Sequence, residues 1–373
     1  MKNLNQLAES IISELENYIH QRGFRALVHF ELEGCYQKPI AKQVDYRQVN
    51  RKLISLGIDG EVVAEYWSNQ WEYVSLFNGQ SPLKEAHNLN RALYYLPKLF
   101  AAQGVTKTLI KPVVWAGDSG KLALGCENIF SGDSRDVHIP NAVQINVSVQ
   151  NLAGENLLVS GDFGERLQEN FLQTSLACCL IYLPEEEAFE RLALKSTYGL
   201  AEELCSPVDI SGGHQGSIAL YRDIGKHNQK MGVEPLIYDD KSNVIVSHEN
   251  WHKTARIEHR LGASSERYNP FLNVIYALLN VIETIDNTEG DTKELDIGYG
   301  QLPNSLQDKD ENIGAISLFH HSDWFSRTID RVLSSASVDN TLSISNSNTK
   351  GLSIGQLIQQ DYLKLFQRPA IVI

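Results

Sequence analysis

The feature that most constrains this chain is a period of two in Phe24–Glu33. Val28, Phe30 and Leu32 fall on one side, and His29, Glu31 and Glu33 on the other. Such alternation predicts a β-strand with two distinct faces. The apolar face needs a core, whereas two carboxylates on one face need water, cations or both. Val62–Trp67 and Trp71–Phe77 read as further strands, with Glu65 and Glu72 placed to join the same face. Thr254–His259 reads as a later strand on which Glu258 is flanked, at the same period, by Arg256 and Arg260. Mixed helices and strands without a βαβ rhythm predict an α+β domain, with a largely antiparallel sheet whose concave face is a site.

Helices complete the expectation. Leu4, Leu7, Ile11, Leu15, Tyr18 and Ile19 form a helical stripe that Gly23 can end. Further helices are expected over Leu83–Gln103, Gly164–Tyr182, Glu185–Ser196, Phe271–Asp286 and Leu352–Phe366. Strands are expected near Leu109–Trp115, Ala142–Val149 and Ser217–Tyr221. Ala116–Ile139 reads as a long loop, and Ser334–Gly351, rich in Ser and Asn, as a linker or loop. At 373 residues the chain can form two domains or one large one. The divisions expected are a helix over 1–23, a main domain over 24–290 and a helical extension over 291–373.

Composition removes several function classes. A net charge of −13 argues against nucleic-acid binding, which requires clustered Lys and Arg. The longest apolar runs, Leu176–Leu183 and Phe271–Ile282, are too short to span a bilayer. The N-terminal stretch is amphipathic and contains acids, so no signal peptide is expected. Cys35, Cys126, Cys178, Cys179 and Cys205 show no metal or redox spacing and read as core thiols of a reduced, cytoplasmic protein.

Glu31, Glu33, Glu65, Glu72 and Glu258 are the candidate chemical groups. Carboxylates brought together repel unless cations neutralise them, and hard ions such as Mg²⁺ or Mn²⁺ favour oxygen ligands. Arginines beside them suit phosphate or carboxylate groups. The alternative reading of the pattern is an exposed strand face with ordinary salt bridges.

Four blocks, in order, resemble the glutamine synthetase family. Thr-Ala-Arg-Ile-Glu-His-Arg-Leu (Thr254–Leu261) followed by Tyr-Asn-Pro-Phe-Leu (Tyr268–Leu272) is similar to the family's late Arg-Ile-Glu-x-Arg and Asn-Pro signature. Glu65–Tyr73 resembles its Glu-x-x-Pro-x-Gln-Trp-Glu block, Phe30–Glu33 its Glu-x-Glu strand, and Thr106–Pro112 its Lys-Pro strand. The resemblance spans roughly Phe24 to Asp286. It implies a glutamine synthetase-like catalytic domain: a curved, mainly antiparallel sheet forming a funnel, flanked by helices, with Mg²⁺ or Mn²⁺ ions and ATP as co-substrate.

Roles follow residue by residue from that resemblance. Glu33, Glu65 and Glu72 match the ligands of one metal ion, and Glu31 and Glu258 those of a second. Gln144 stands where the family has a metal-binding His. Arg260 matches the arginine that meets the reacting carboxylate and phosphoryl group, Arg256 a nucleotide contact, and Arg191 the arginine that holds the substrate α-carboxylate. The implied activity is an ATP-dependent carboxylate–amine ligation through an acyl phosphate, with a small-molecule acid and amine as substrates.

The departures shape the expectation further. Pro140 stands at or near a family glycine that contacts the substrate amine, and the family's two phosphate-facing arginines are not kept near Gly213–Tyr221. Arg222 and Lys226 are the nearest substitutes, and Glu202 or Glu203 stand only by position for a flap acid. A helix of about twenty residues precedes the Glu-x-Glu strand where the family has a small β-domain. These differences lead to an expected amine other than ammonia and to a monomer or small homo-oligomer. A catalytically inactive homologue that binds nucleotide or amino acid is the rival, and guanidino-type phosphotransfer a third reading. Trp115–Lys121 is a poor phosphate-loop match, and Ser211–Ser217 reads as a loop beside the site. His320 and His321 are adjacent and lack metal-site spacing, and His248 and His252 stand at i, i+4.

Overall fold

A computed structural model describes residues 2–38, 43–65, 67, 69–76, 79–115, 138–193, 217–222, 237–238, 244–245, 254–287, 302–335 and 351–367. Outside them lie the expected loop over 116–137, the segment 211–216, most of the Ser/Asn-rich stretch, His248, His252, Glu202, Glu203, Lys226, Cys126 and Cys205.

Helix α1 (Lys2–Gln21) buries Leu4, Ile11, Leu15, Tyr18 and Ile19, and Gly23 turns the chain out of it at φ +86°. The long strand β1 (Phe24–Gln37) follows. Then come α2 (Tyr46–Ser55), β2 (Gly60–Ala64), β3 (Gln70–Ser75) and α3 (Pro82–Ala101). Next are β4 (Lys107–Leu109), β5 (Val113–Trp115), β6 (His138–Pro140) and β7 (Val143–Asn151). The helices α4 (Phe163–Ser175), α5 (Cys179–Tyr182) and α6 (Glu187–Ala193) lead to β8 (Ile218–Tyr221). Short β9 (Ile237–Tyr238) and β10 (Val244–Ile245) precede β11 (Arg256–His259) and α7 (Pro270–Asp286). The chain continues with α8 (Ala315–His321), α9 (Trp324–Ser335) and α10 (Ile354–Gln367).

The main sheet runs β2-β3-β1-β7-β11-β8, with β4 extending the β7 side of β1 beyond Leu32. Every pairing in it is antiparallel. The mainly antiparallel sheet with flanking helices is therefore as expected. Among the described residues it is uncurled, with β2 and β8 as its edges. One face presents Val28, Phe30, Leu32, Trp71, Tyr73, Ile145, Val147 and Ile257 to a single apolar core. Helices α1, α3 and α7 cover that face. The Asn-Pro of Tyr268–Leu272 has a local cause: Asn269 accepts the Leu272 N–H at 3.1 Å as N-cap, and Pro270 occupies the first turn, where no N–H is needed.

Two expectations are corrected, and one element is added. The helix expected over Gly164–Tyr182 breaks between α4 and α5, because the Ser175 carbonyl accepts from the Tyr182 hydroxyl at 2.7 Å rather than continuing the ladder. The strand expected near Leu109–Trp115 divides into β4 and β5 at Pro112, which has no N–H, and its carbonyl accepts from Asn141 N at 2.8 Å. Helix α2, capped by Asp45, was not anticipated. Among the described residues no helix is long and apolar enough to cross a membrane.

Candidate active site

Strand register decides which side chains share the face opposite the core. Glu31 on β1 lies across from Gln144 on β7, and His29 across from Asn146. On the other side of β1, Glu33 lies across from Glu72 of β3. Val63 of β2 also pairs with Glu72, and Glu65 carries the same period past the end of β2, donating its N–H to the Gln70 carbonyl at 3.2 Å. On β11, Glu258 pairs with Asn146 of β7 and with Ala219 of β8, and Arg256 with Tyr221. All five acids, together with Gln144 and Arg256, therefore lie on one face of one sheet.

The acids are held in different ways. Glu33 Oε2 accepts the Ala142 N–H at 2.8 Å, while its backbone carbonyl accepts from Ser264 Oγ at 2.6 Å. Glu31 Oε1 accepts from Asn146 Nδ2 at 3.1 Å. Glu258, fully buried, meets Arg256 Nη2 at 3.0 Å and Arg260 Nε at 3.8 Å. Arg256 Nε donates to Asn146 Oδ1 at 2.7 Å, and its guanidinium sits 4.7 Å from the centre of the Tyr221 ring. Arg260 Nη1 donates to the Tyr221 hydroxyl at 3.1 Å. A continuous polar chain thus crosses β8, β11, β7 and β1: Tyr221, Arg260, Glu258, Arg256, Asn146, Glu31.

Arg191 is buried on α6, and donates to the carbonyls of Leu261 at 3.3 Å and Arg260 at 3.5 Å. It braces the turn that leaves β11. Arg222, expected as a substitute phosphate arginine, pairs with Glu165 at 2.7 Å and donates to the Gly161 carbonyl at 3.2 Å. It is engaged at the start of α4. His320 and His321 sit exposed on α8, their rings 5.1 Å apart.

Beyond the acids, the same face opens into a cleft of about 300 Å³ lined by Arg25, His29, Asn146, Ser148, Gln150 and Arg256. Arg25 is anchored through the Gly79 carbonyl. Burial first, then the Arg256 charge, lowers the His29 pKa to about 4, so its imidazole is neutral near pH 7. The two arginines supply the positive charge. Cys35 shares the acid face two residues beyond Glu33, but burial pushes its thiol up to about 12, which makes it a packing group and not a nucleophile.

A hard divalent cation can be tested against these residues. Among the described residues no three His, Cys, Asp or Glu side chains draw together into a ready-made metal cage. Gln144, however, is 5% exposed, and its Oε1 is a buried oxygen that accepts no hydrogen bond. It faces the same side as Glu31, directly across the ladder. An orphaned carbonyl oxygen amid carboxylates fits an oxygen-seeking ion in donor type.

No family model matches the sequence, and no curated protein is significantly similar to it. Solved structures do match. A novel glutamine synthase homologue superposes with a TM-score of 0.56 at 16% identity, over 96% of this chain and 75% of that one. GmaS without ligand and a GmaS/ADP complex each match with a TM-score of 0.55 at 11% identity, over 98% of this chain and 75% of theirs. The chain has the fold of these glutamine synthetase homologues.

Proposed function

We propose that the chain is an ATP- and Mg²⁺- or Mn²⁺-dependent carboxylate–amine ligase that forms an amide through an acyl phosphate. The observation that carries this reading is the separation of charge along one sheet face. Glu31, Glu33, Glu65 and Glu72 occupy one end, and the cleft bearing Arg25 and Arg256 the other. A nucleotide triphosphate laid along this face meets arginines at one end and oxygen ligands for its cation at the other. The GmaS/ADP complex on the same fold supports nucleotide use.

Each group has a part in this reaction. Arg25 and Arg256 hold the phosphates. Arg260 stabilises charge where the substrate carboxylate attacks the γ-phosphorus, with the bond to ADP breaking as the acyl phosphate forms. Arg191, against the Arg260 and Leu261 carbonyls, is assigned to the α-carboxylate of the acid. The amine then attacks the acyl carbon and inorganic phosphate leaves. Glu31, Glu33, Glu65, Glu72 and Gln144 are the residues that would hold the divalent ion, which when bound withdraws charge from the transferring phosphoryl group. An amine other than ammonia completes this reading, and Pro140 stands at or near the position where the resemblance places a glycine. A monomer or small homo-oligomer goes with this reading, and light scattering would measure it.

The rival is a homologue that binds nucleotide without turnover. Two observations favour it: Gln144 is uncharged, and Arg222 is engaged by Glu165. ADP release with Mg²⁺ across a panel of acids and amines separates the two. Amine-dependent release that disappears in Arg260→Ala is the ligase result. Tight ATP binding without turnover on any pair is the result for the binding protein. Loss of one charge-stabilising donor typically costs about 10²–10³ in rate, which leaves the unaltered site room to be a slow enzyme.

A further inference from the structure

The resemblance assigns Glu258 to a metal ion, but its surroundings suit a different task. Its carboxylate is fully buried and already shared by two guanidinium groups, Arg256 at 3.0 Å and Arg260 at 3.8 Å. We propose that Glu258 is a positioning residue that holds Arg256 and Arg260 for an anionic ligand, and that cation binding on this face falls to the other acids and Gln144. The proposal rests on the nucleotide-dependent reading above and deepens it.

Three features lead there. First, two arginines and one carboxylate leave a net positive charge in a buried place, so a divalent ion on Glu258 would sit against two like charges. Secondly, each arginine has further anchors. Asn146 and the Tyr221 ring hold Arg256, and the Tyr221 hydroxyl holds Arg260. Glu258 is the carboxylate they share, and a guanidinium fixed at several points is pre-organised for phosphate or carboxylate. Thirdly, Glu258 Oε1 accepts no hydrogen bond but faces Arg260 Nε at 3.8 Å, whereas the orphaned Gln144 oxygen lies across the ladder from Glu31.

Two titrations of Glu258→Gln test this. Mn²⁺ binding, followed by the paramagnetic resonance of free Mn²⁺, is expected to keep its stoichiometry and an affinity within about twofold of the unaltered chain. ATP binding, measured without divalent ions, is expected to weaken about tenfold or more, as for loss of a charged hydrogen-bond partner. Loss of one Mn²⁺ ion, or a tenfold weaker ion with unchanged ATP binding, overturns the proposal. Crystals of the unaltered chain soaked in MnCl₂ give a check independent of whether the variant folds. An anomalous peak in contact with the Glu258 carboxylate, or no peak on this face, refutes the assignment, and peaks confined to the other acids and Gln144 agree with it. A chain that binds no ATP at all removes the ligase reading, and the soak still decides Glu258, because it asks only where the ion sits.

Discussion

Glu33 and Glu72 are a directly opposed cross-strand pair. Like charges in that position destabilise a sheet, by up to about 1 kcal/mol. Glu33→Gln is therefore expected to raise the melting temperature of the metal-free chain slightly and to shrink the rise produced by Mn²⁺, which stabilises through binding to the folded state. A variant with an undiminished Mn²⁺ shift would count against Glu33 as a ligand. A second carboxylate acts through protons instead. Glu85 on α3 is fully buried, accepts from Ser75 Oγ at 2.6 Å and from Asn88 Nδ2 at 3.2 Å, and Ser75 Oγ in turn accepts the Phe30 N–H of β1. Burial raises its pKa to about 7, against the pull of those hydrogen bonds. A raised carboxyl favours the fold fully below its unfolded value and loses that favour as pH rises through about 7. Glu85→Gln should remove that slope, worth up to about 3 kcal/mol between pH 4 and pH 8, in urea melts at the two pH values. Parallel pH slopes in both proteins would refute the assignment. His29 and His259, lowered by burial to about 4 and about 3, act with the opposite sign and weaken the fold as pH falls below about 6. The shared facing of Glu31 and Glu33 was legible from the period of two. Asn146, Tyr221 and Arg25 were missed, because isolated neutral or single basic residues carry no pattern until register sets them beside Glu31, Arg260 and the cleft.

Among the elements, β11 and the turn after it are tightly constrained. Gly262 accepts the Val143 N–H at 2.9 Å, and a Cβ on Gly262 would lie 2.3 Å from the Val143 carbonyl oxygen. Backbone meets backbone there, so nothing flexible can yield. Gly262→Ala is expected to cost about 2 kcal/mol or more and to weaken ATP binding, since the Arg260 and Leu261 carbonyls held by Arg191 must shift with it. Urea denaturation and an ATP titration read the two effects. Unchanged values for both would show that the turn tolerates a side chain. Strands and long helices were legible because periodicity reports a buried face. The break between α4 and α5 was not, since the Tyr182 hydroxyl that takes the Ser175 carbonyl is seven residues away and shows no breaker residue.

At the scale of the whole molecule, the C-terminal helices belong to the same apolar core as the sheet. On α10, Ile358, Tyr362 and Leu363 are buried in it, and the Tyr362 hydroxyl donates to the Leu180 carbonyl at 3.0 Å. Removing α10 exposes their sites at a cost of about 5–9 kcal/mol, comparable to the whole stability of an ordinary domain. The chain shortened before Ile354 should therefore lose cooperative unfolding and near-ultraviolet circular dichroism, and a sharp transition at an unchanged midpoint would contradict this. The sequence by itself determined the alternation of β1, the helical stripes and the order of the acidic and arginine blocks, since these depend on the local geometry of strand and helix. Only the tertiary structure decided which acids stand opposite one another, that Glu258 is enclosed by Arg256 and Arg260, and that Gln144 keeps an unsatisfied oxygen. Those facts depend on pairing between strands distant in the chain, from Glu33 opposite Glu72 to Glu31 opposite Gln144 and Glu258 opposite Asn146, and a one-residue change of register would have turned such side chains into the core.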